Sequence, residues 1–123
     1  MANNPVGWFE IYVQDTKRAV TFYEAVFKVK LENVKAPECD MWMFPHGMDK
    51  SGAGGALVKM QGVASGGNST LVYFNCADCA VEAARAKQNG GRIFKDKWSI
   101  GQFGFIALVT DTEGNMIGLH SLK

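Results

Sequence analysis

The sequence predicts an α+β fold built from two βαβββ modules. Three observations carry this reading. A strand-like segment leading into an Asp-capped amphipathic helix occurs twice. Each copy is followed by three further strand-like stretches. The copies repeat at an offset of 63 residues, the distance from Asp15 to Asp78 and from Gly55 to Gly118. An internal repeat organises the whole fold, and each half is too short to enclose a good core alone. The two half-sheets are therefore expected to close one curved, cup-shaped mixed sheet, with both helices on its convex side. The modules cover about residues 6–61 and 69–122, joined by a linker at 62–68, in a single domain spanning 1–123.

Residues 6–13 (VGWFEIYV) read as the first strand, in which Phe9, Ile11 and Val13 alternate with Trp8, Glu10 and Tyr12. The apolar set suits the face under a helix; the mixed aromatic and polar set suits a concave, partly wet face. Asp15 can cap the first helix through a backbone N–H of its first turn. Ala19, Phe22, Tyr23, Val26 and Phe27 form the buried stripe of that helix. Strands are expected at 29–36, 41–44 and 56–60, with a loop at 45–55 marked by Pro, Gly and Asp. The Gly- and Ser-containing stretch GVASGGNS, 62–69, reads as linker. The pattern then restarts with a strand at 70–76 and the cap Asp78. A helix over 80–89 is ended by Gly90 and Gly91. Strands at 92–97, 103–109 and 116–122 complete the second module, the last after a DTEGN turn at 111–115.

Composition narrows the function. The 123 residues are 47% hydrophobic and 20% charged, and the net charge is +1. That balance lacks the basic excess of a nucleic-acid module. No stretch approaches the roughly 20 apolar residues of a membrane span, and residues 1–5 lack an apolar signal core. The odd count of cysteines, Cys39, Cys76 and Cys79, points to a reducing cytoplasm over a disulfide-stapled scaffold.

Three segments carry a resemblance: WFEIYVQDTKRAVTFYEAVF at 8–27, VYFNCADCAVEAARAKQNGGRI at 72–93 and DTEGNMIGLH at 111–120. With them the chain resembles the vicinal oxygen chelate superfamily, which includes glyoxalase I, bleomycin-resistance proteins and extradiol dioxygenases. The resemblance implies paired βαβββ modules, a cup-shaped cavity and a homodimer. Metal-dependent members place His, Glu or Gln on the first and last strand of each half. Carried onto this chain, the first-strand positions fall at Trp8 and Leu71, each seven residues before its cap aspartate, and the last-strand positions at Gly55 and Gly118. None offers an N, O or S ligand. What the resemblance then implies is binding of a small molecule, as in bleomycin-resistance proteins, with no metal and no cofactor.

The expected ligand site is the concave face: Trp8, Glu10, Tyr12, Leu71, Tyr73, Asn75, Phe103, Phe105, Gly118 and His120. Trp42 and Phe44 belong to the same aromatic set; for these two and for Phe103 and Phe105 the sequence leaves the register open. Two Tyr, a Trp, a carboxylate and an amide on one face suit an aromatic or amphipathic ligand. Glu10 and His120 each stand two residues beyond a vacant ligand position, on the same strand face. They supply an alternative, a glyoxalase-type lyase or isomerase with a displaced metal site. A third reading is a degenerate member kept for dimerisation or protein contact. The balance lies with binding over catalysis. Cys76 and Cys79 form a C-x-x-C at a helix start, where redox chemistry competes with a plain core role for Cys76. His46, in the Gly-rich loop, is expected to be exposed or at the mouth of the cup.

Overall fold

The computed structural model describes residues 4–46 and 52–123. Residues 1–3 of the polar N-terminus and 47–51 of the expected loop lie outside the described residues. The first module comprises β1 (Trp8–Tyr12), α1 (Thr16–Phe27), β2 (Glu32–Lys35), β3 (Cys39–Met43) and β4 (Gly54–Met60). The second comprises β5 (Val72–Asn75), α2 (Cys79–Gln88), β6 (Arg92–Ser99), a 3-10 turn (Gly101–Phe103), β7 (Phe105–Thr110) and β8 (Met116–Ser121). Both are βαβββ units of the same topology, ordered β1-β4-β3-β2 and β5-β8-β7-β6. They form an α+β fold of two four-stranded mixed sheets, one from each expected half, which are not hydrogen-bonded into the single curved sheet the sequence reading expected.

Capping sets the helix starts. Asp15 accepts the Arg18 backbone N–H at 3.0 Å, and Asp78 accepts that of Ala80 at 3.0 Å; such caps are worth about 1 kcal/mol each. α1 buries Ala19, Val20, Phe22, Tyr23 and Val26. α2 buries only the small Cys79, Ala83 and Ala86, so it lies close against β6, β7, β8 and α1. Its Arg85 donates from Nε to the Val26 carbonyl at 2.8 Å, satisfying an end group of α1. One core cluster joins both modules, and Tyr23 is its hub. The Tyr23 ring packs edge-on to Phe44 at 5.7 Å and near Phe74 of β5 at 6.0 Å, while Phe27 stacks on Phe74 at 4.2 Å.

The strand registers correct the expected repeat. Val13 N–H donates to Val58 O at 2.9 Å, and its counterpart Cys76 N–H donates to His120 O at 2.8 Å. Val13 and Cys76 keep the offset of 63, but Val58 and His120 are 62 apart. Gly118 therefore corresponds to Ala56, not to Gly55. Pairing agrees: Glu10 stands beside Ala56, and Tyr73 beside Gly118. A one-residue slip turns a side chain to the other face of a sheet. Gly55 pairs with Phe9 on the core side, where an added Cβ would collide with the Phe9 ring; Gly118 lies under the Tyr73 ring on the helix-free face. The connections between helix and last strand differ in length between the modules, so one constant offset does not span them.

A second feature, unforeseen in the sequence, ties the modules together. Glu113, in the turn before β8, is 7% exposed. Its carboxylate accepts the backbone N–H groups of Gln14 (2.8 Å) and Asp15 (2.9 Å) at the start of α1. It also accepts Arg18 Nε (2.6 Å), Arg18 Nη2 (3.0 Å) and the Thr112 hydroxyl (3.0 Å). Burial would push this carboxyl up; the Arg18 guanidinium, the two backbone N–H groups and the Thr112 hydroxyl together hold it down to about 2. Next to it, Asp111 accepts the buried Tyr23 hydroxyl at 2.6 Å, and Asn115 Nδ2 donates to the Tyr12 carbonyl at 2.9 Å. The expected linker joins the same clasp: Ser65 Oγ donates to Glu113 O at 2.6 Å and Gly66 N–H to Asn115 Oδ1 at 2.7 Å.

Candidate functional site

On the helix-free face of β1, the exposed Glu10 carboxylate sits between two aromatic neighbours. Trp8 Nε1–H donates to Glu10 Oε2 at 3.2 Å, and the Tyr12 hydroxyl donates to Oε1 at 2.7 Å. Alternation along the strand puts all three on one face. The bond to Glu10, with some burial, raises the Tyr12 hydroxyl above its ordinary range, so it stays a donor at neutral pH. This trio borders a cavity of about 670 Å³ in the seam between the two sheets. The opposite wall comes from Ala64, Asn68, Thr70, Leu71, Asn115 and Met116. That volume lies in the range of small-molecule sites.

The structure sorts the expected site residues into groups. Trp8, Glu10, Tyr12 and Leu71 border this one cavity. Tyr73 and Asn75 border a second hollow of about 340 Å³, at the edge of β5, together with Phe27, Phe44 and Glu82. Trp8 and Tyr73 therefore line different hollows, which adjoin at Phe9, Ala53 and Val72. Phe105 pairs with Ser121 and packs against the core cluster, so it leaves the expected concave set; Trp42 and Phe44, whose register the sequence left open, also belong to that packing. Phe103 is in the 3-10 turn and 64% exposed; its carbonyl lies 2.7 Å from His120 Nε2. Gly118 contributes only the floor beneath Tyr73. His46 is exposed, and its ring flanks Gly54 opposite Trp8, beside the cavity. Missed in the sequence were Asn68, Asn115 and Met116, which reach the cavity through the linker and the DTEGN turn; the short polar residues of that turn were the available signal.

The whole pattern, from β1 through the DTEGN turn to β8, has a counterpart among known proteins. The family described as the Glyoxalase/Bleomycin resistance protein/Dioxygenase superfamily matches residues 6–119. The chain belongs to this superfamily. Solved structures share the fold at low identity. TnmS3, an antibiotic binding protein from Streptomyces sp. CB03234, is 22% identical with a TM-score of 0.75, over 100% of this chain and 99% of that one. Glyoxalase I from Zea mays is 19% identical with a TM-score of 0.72, over 95% of this chain. The chain spans 46% of the length of the maize enzyme. A glyoxalase/bleomycin resistance protein from Albidiferax ferrireducens T118 is 19% identical with a TM-score of 0.65, over 94% of this chain and 98% of that one. No curated protein matches the chain.

A superfamily metal does not fit the residues present. The corrected register places the four ligand positions at Trp8, Ala56, Leu71 and Gly118, and none carries a suitable donor. The displaced pair does not assemble either. Glu10 is engaged by Trp8 and Tyr12, and His120 by the Phe103 carbonyl on the other sheet. Among the described residues, no three His, Cys, Asp or Glu side chains converge as a metal site.

The C-x-x-C is a core feature. Burial, and then the Glu82 carboxylate, pushes the Cys76 thiol up to about 12, and Cys79 is fully buried. A thiol so displaced is protonated at neutral pH and a poor nucleophile. Among the described residues no helix is long and apolar enough to cross a membrane.

Proposed function

We propose that this superfamily member binds a small aromatic or hydrophobic molecule in the seam cavity without a metal ion. The observation that carries the reading is the pairing of an aromatic, partly open cavity with four ligand positions that hold no donor atoms. Trp8 is 43% exposed and borders the cavity, so an entering ring has an aromatic surface to cover. Its indole is oriented by the bond to Glu10, which reduces the ordering cost of binding. Antibiotic binding by the similar-fold TnmS3 is in keeping with a binding role.

Metal analysis of protein purified without chelator tests the metal-free part. Well under one equivalent of Ni, Zn or Fe is expected. One bound equivalent that is lost on Glu10→Ala would replace this reading by the lyase or isomerase alternative. A thermal-shift screen of aromatic compounds tests the binding part. Replacing Trp8 by Ala should weaken a hit by roughly 1–2 kcal/mol, the scale of an aromatic contact; equal affinity would move the site elsewhere.

A further inference from the structure

We propose that the seam cavity selects cationic aromatic molecules, with Glu10 as the recognition anion. The inference rests on the binding reading above and names its ligand class. It comes from counting which polar groups in the cavity are already engaged. Asn115 donates from Nδ2 to the Tyr12 carbonyl and to Asp111, and accepts the Gly66 N–H on Oδ1. Asn68 donates to the Thr70 and Met116 carbonyls and accepts the Met116 N–H. Trp8 Nε1–H and the Tyr12 hydroxyl both point at Glu10. These groups leave little to offer an anionic ligand.

Glu10 is different. A carboxylate has about four acceptor positions, and two of them are used. Among the described residues it is the one carboxylate lining the cavity, and no Lys or Arg lines it; the exposed His46 ring stands beside it, near Trp8. Among the described residues no cation lies within 4 Å of it. Trp8 and Tyr12 flank the exposed Glu10 carboxylate, and Leu71 and Met116 give the facing wall an apolar surface. The faces of Trp8 and Tyr12 also attract cations. A protonated ring nitrogen or amine on a planar molecule meets both requirements at once: the ring covers Trp8, and the N–H donates to the open side of Glu10.

The test compares three probes of one shape: 9-aminoacridine, protonated at pH 7, neutral acridine, and acridine-9-carboxylate. Each is titrated by calorimetry, with chelator present, into wild type, Glu10→Gln and Trp8→Ala. Near-UV circular dichroism of both variants checks that they fold. Wild type is expected to bind the cation about tenfold or more tighter than acridine, the scale of one charge-assisted hydrogen bond, and the anion more weakly than acridine. In Glu10→Gln the cation's advantage over acridine should collapse to about twofold or less, whereas Trp8→Ala should weaken all three probes. If the three bind wild type alike and Glu10→Gln leaves their ratio unchanged, the cation selectivity is refuted while the aromatic cavity stands. If no probe binds, or Trp8→Ala binds all three as wild type does, the binding reading falls and this inference with it.

Discussion

Replacing Glu113 by Gln should destabilise the protein by on the order of 3 kcal/mol at pH 7. The magnitude follows from the carboxylate's environment. Five donors converge on its two oxygens, two of them backbone N–H groups at the start of α1. Holding the carboxyl near 2, against an ordinary 4.5, corresponds to roughly 3 kcal/mol favouring the folded state. The sign is fixed by the direction of the shift. A depressed carboxyl stabilises fully above about pH 4.5, and the contribution is lost as pH falls toward 2. Gln removes the charge and turns an amide donor toward Arg18 or Thr112. Urea unfolding of wild type and Glu113→Gln at pH 7, 5, 4 and 3 measures the effect. The gap between them should stay near its full value at pH 7 and shrink by half or more at pH 3. A gap that is small at neutral pH, or constant down to pH 3, would refute the clasp as described. Arg18 cannot account for the effect alone, since its side chain is 51% exposed; Arg18→Ala should cost only about 1 kcal/mol.

Three further outcomes follow from the geometry. Gly55→Ala forces a methyl against Phe9 in the packed interior and should cost about 1–3 kcal/mol, whereas Gly118→Ala meets the half-exposed Tyr73 ring, which can swing aside, and should cost less; thermal denaturation of both ranks them, and the reverse order would contradict the corrected register. Lys28 holds a left-handed conformation at φ 55°, so Lys28→Gly should stabilise by about 1 kcal/mol in urea titrations; a loss of stability would contradict it. Cys76, half-buried and pushed up to about 12, should resist iodoacetamide at pH 8 in the folded protein and react readily in urea, as peptide mapping would show; rapid labelling without denaturant would return the C-x-x-C to redox consideration.

The modules were legible because their signals are local. Alternation at Phe9, Ile11 and Val13, capping by Asp15 and Asp78, and the stripe from Ala19 to Phe27 each announce an element within a few residues. The strand faces followed, so Trp8, Glu10 and Tyr12 were placed together correctly. What escaped was set by long-range pairing. The equivalence of Ala56 with Gly118 depends on which residue of β4 accepts from Val13, and two adjacent glycines at Gly54 and Gly55 give no side-chain pattern to fix it. Phe105 faces the core because it pairs with Ser121, whose hydroxyl accepts the Cys79 N–H at 3.0 Å. The partition of Trp8 and Tyr73 into separate hollows follows from how the two sheets meet, and no strand pattern encodes that. Glu113 looked like an ordinary turn residue, because its partners Gln14, Asp15 and Arg18 lie about a hundred residues earlier in the chain.

The account's central claim is that the cavity beside Trp8 and Glu10 binds a small aromatic molecule with no metal ion. Calorimetric titration of a screened aromatic ligand into wild type and Trp8→Ala, each with and without EDTA, tests it most directly. The account predicts that EDTA leaves the wild-type affinity unchanged and that Trp8→Ala weakens it roughly five- to thirtyfold. Binding abolished by EDTA and restored by added Ni, Zn or Fe would contradict it.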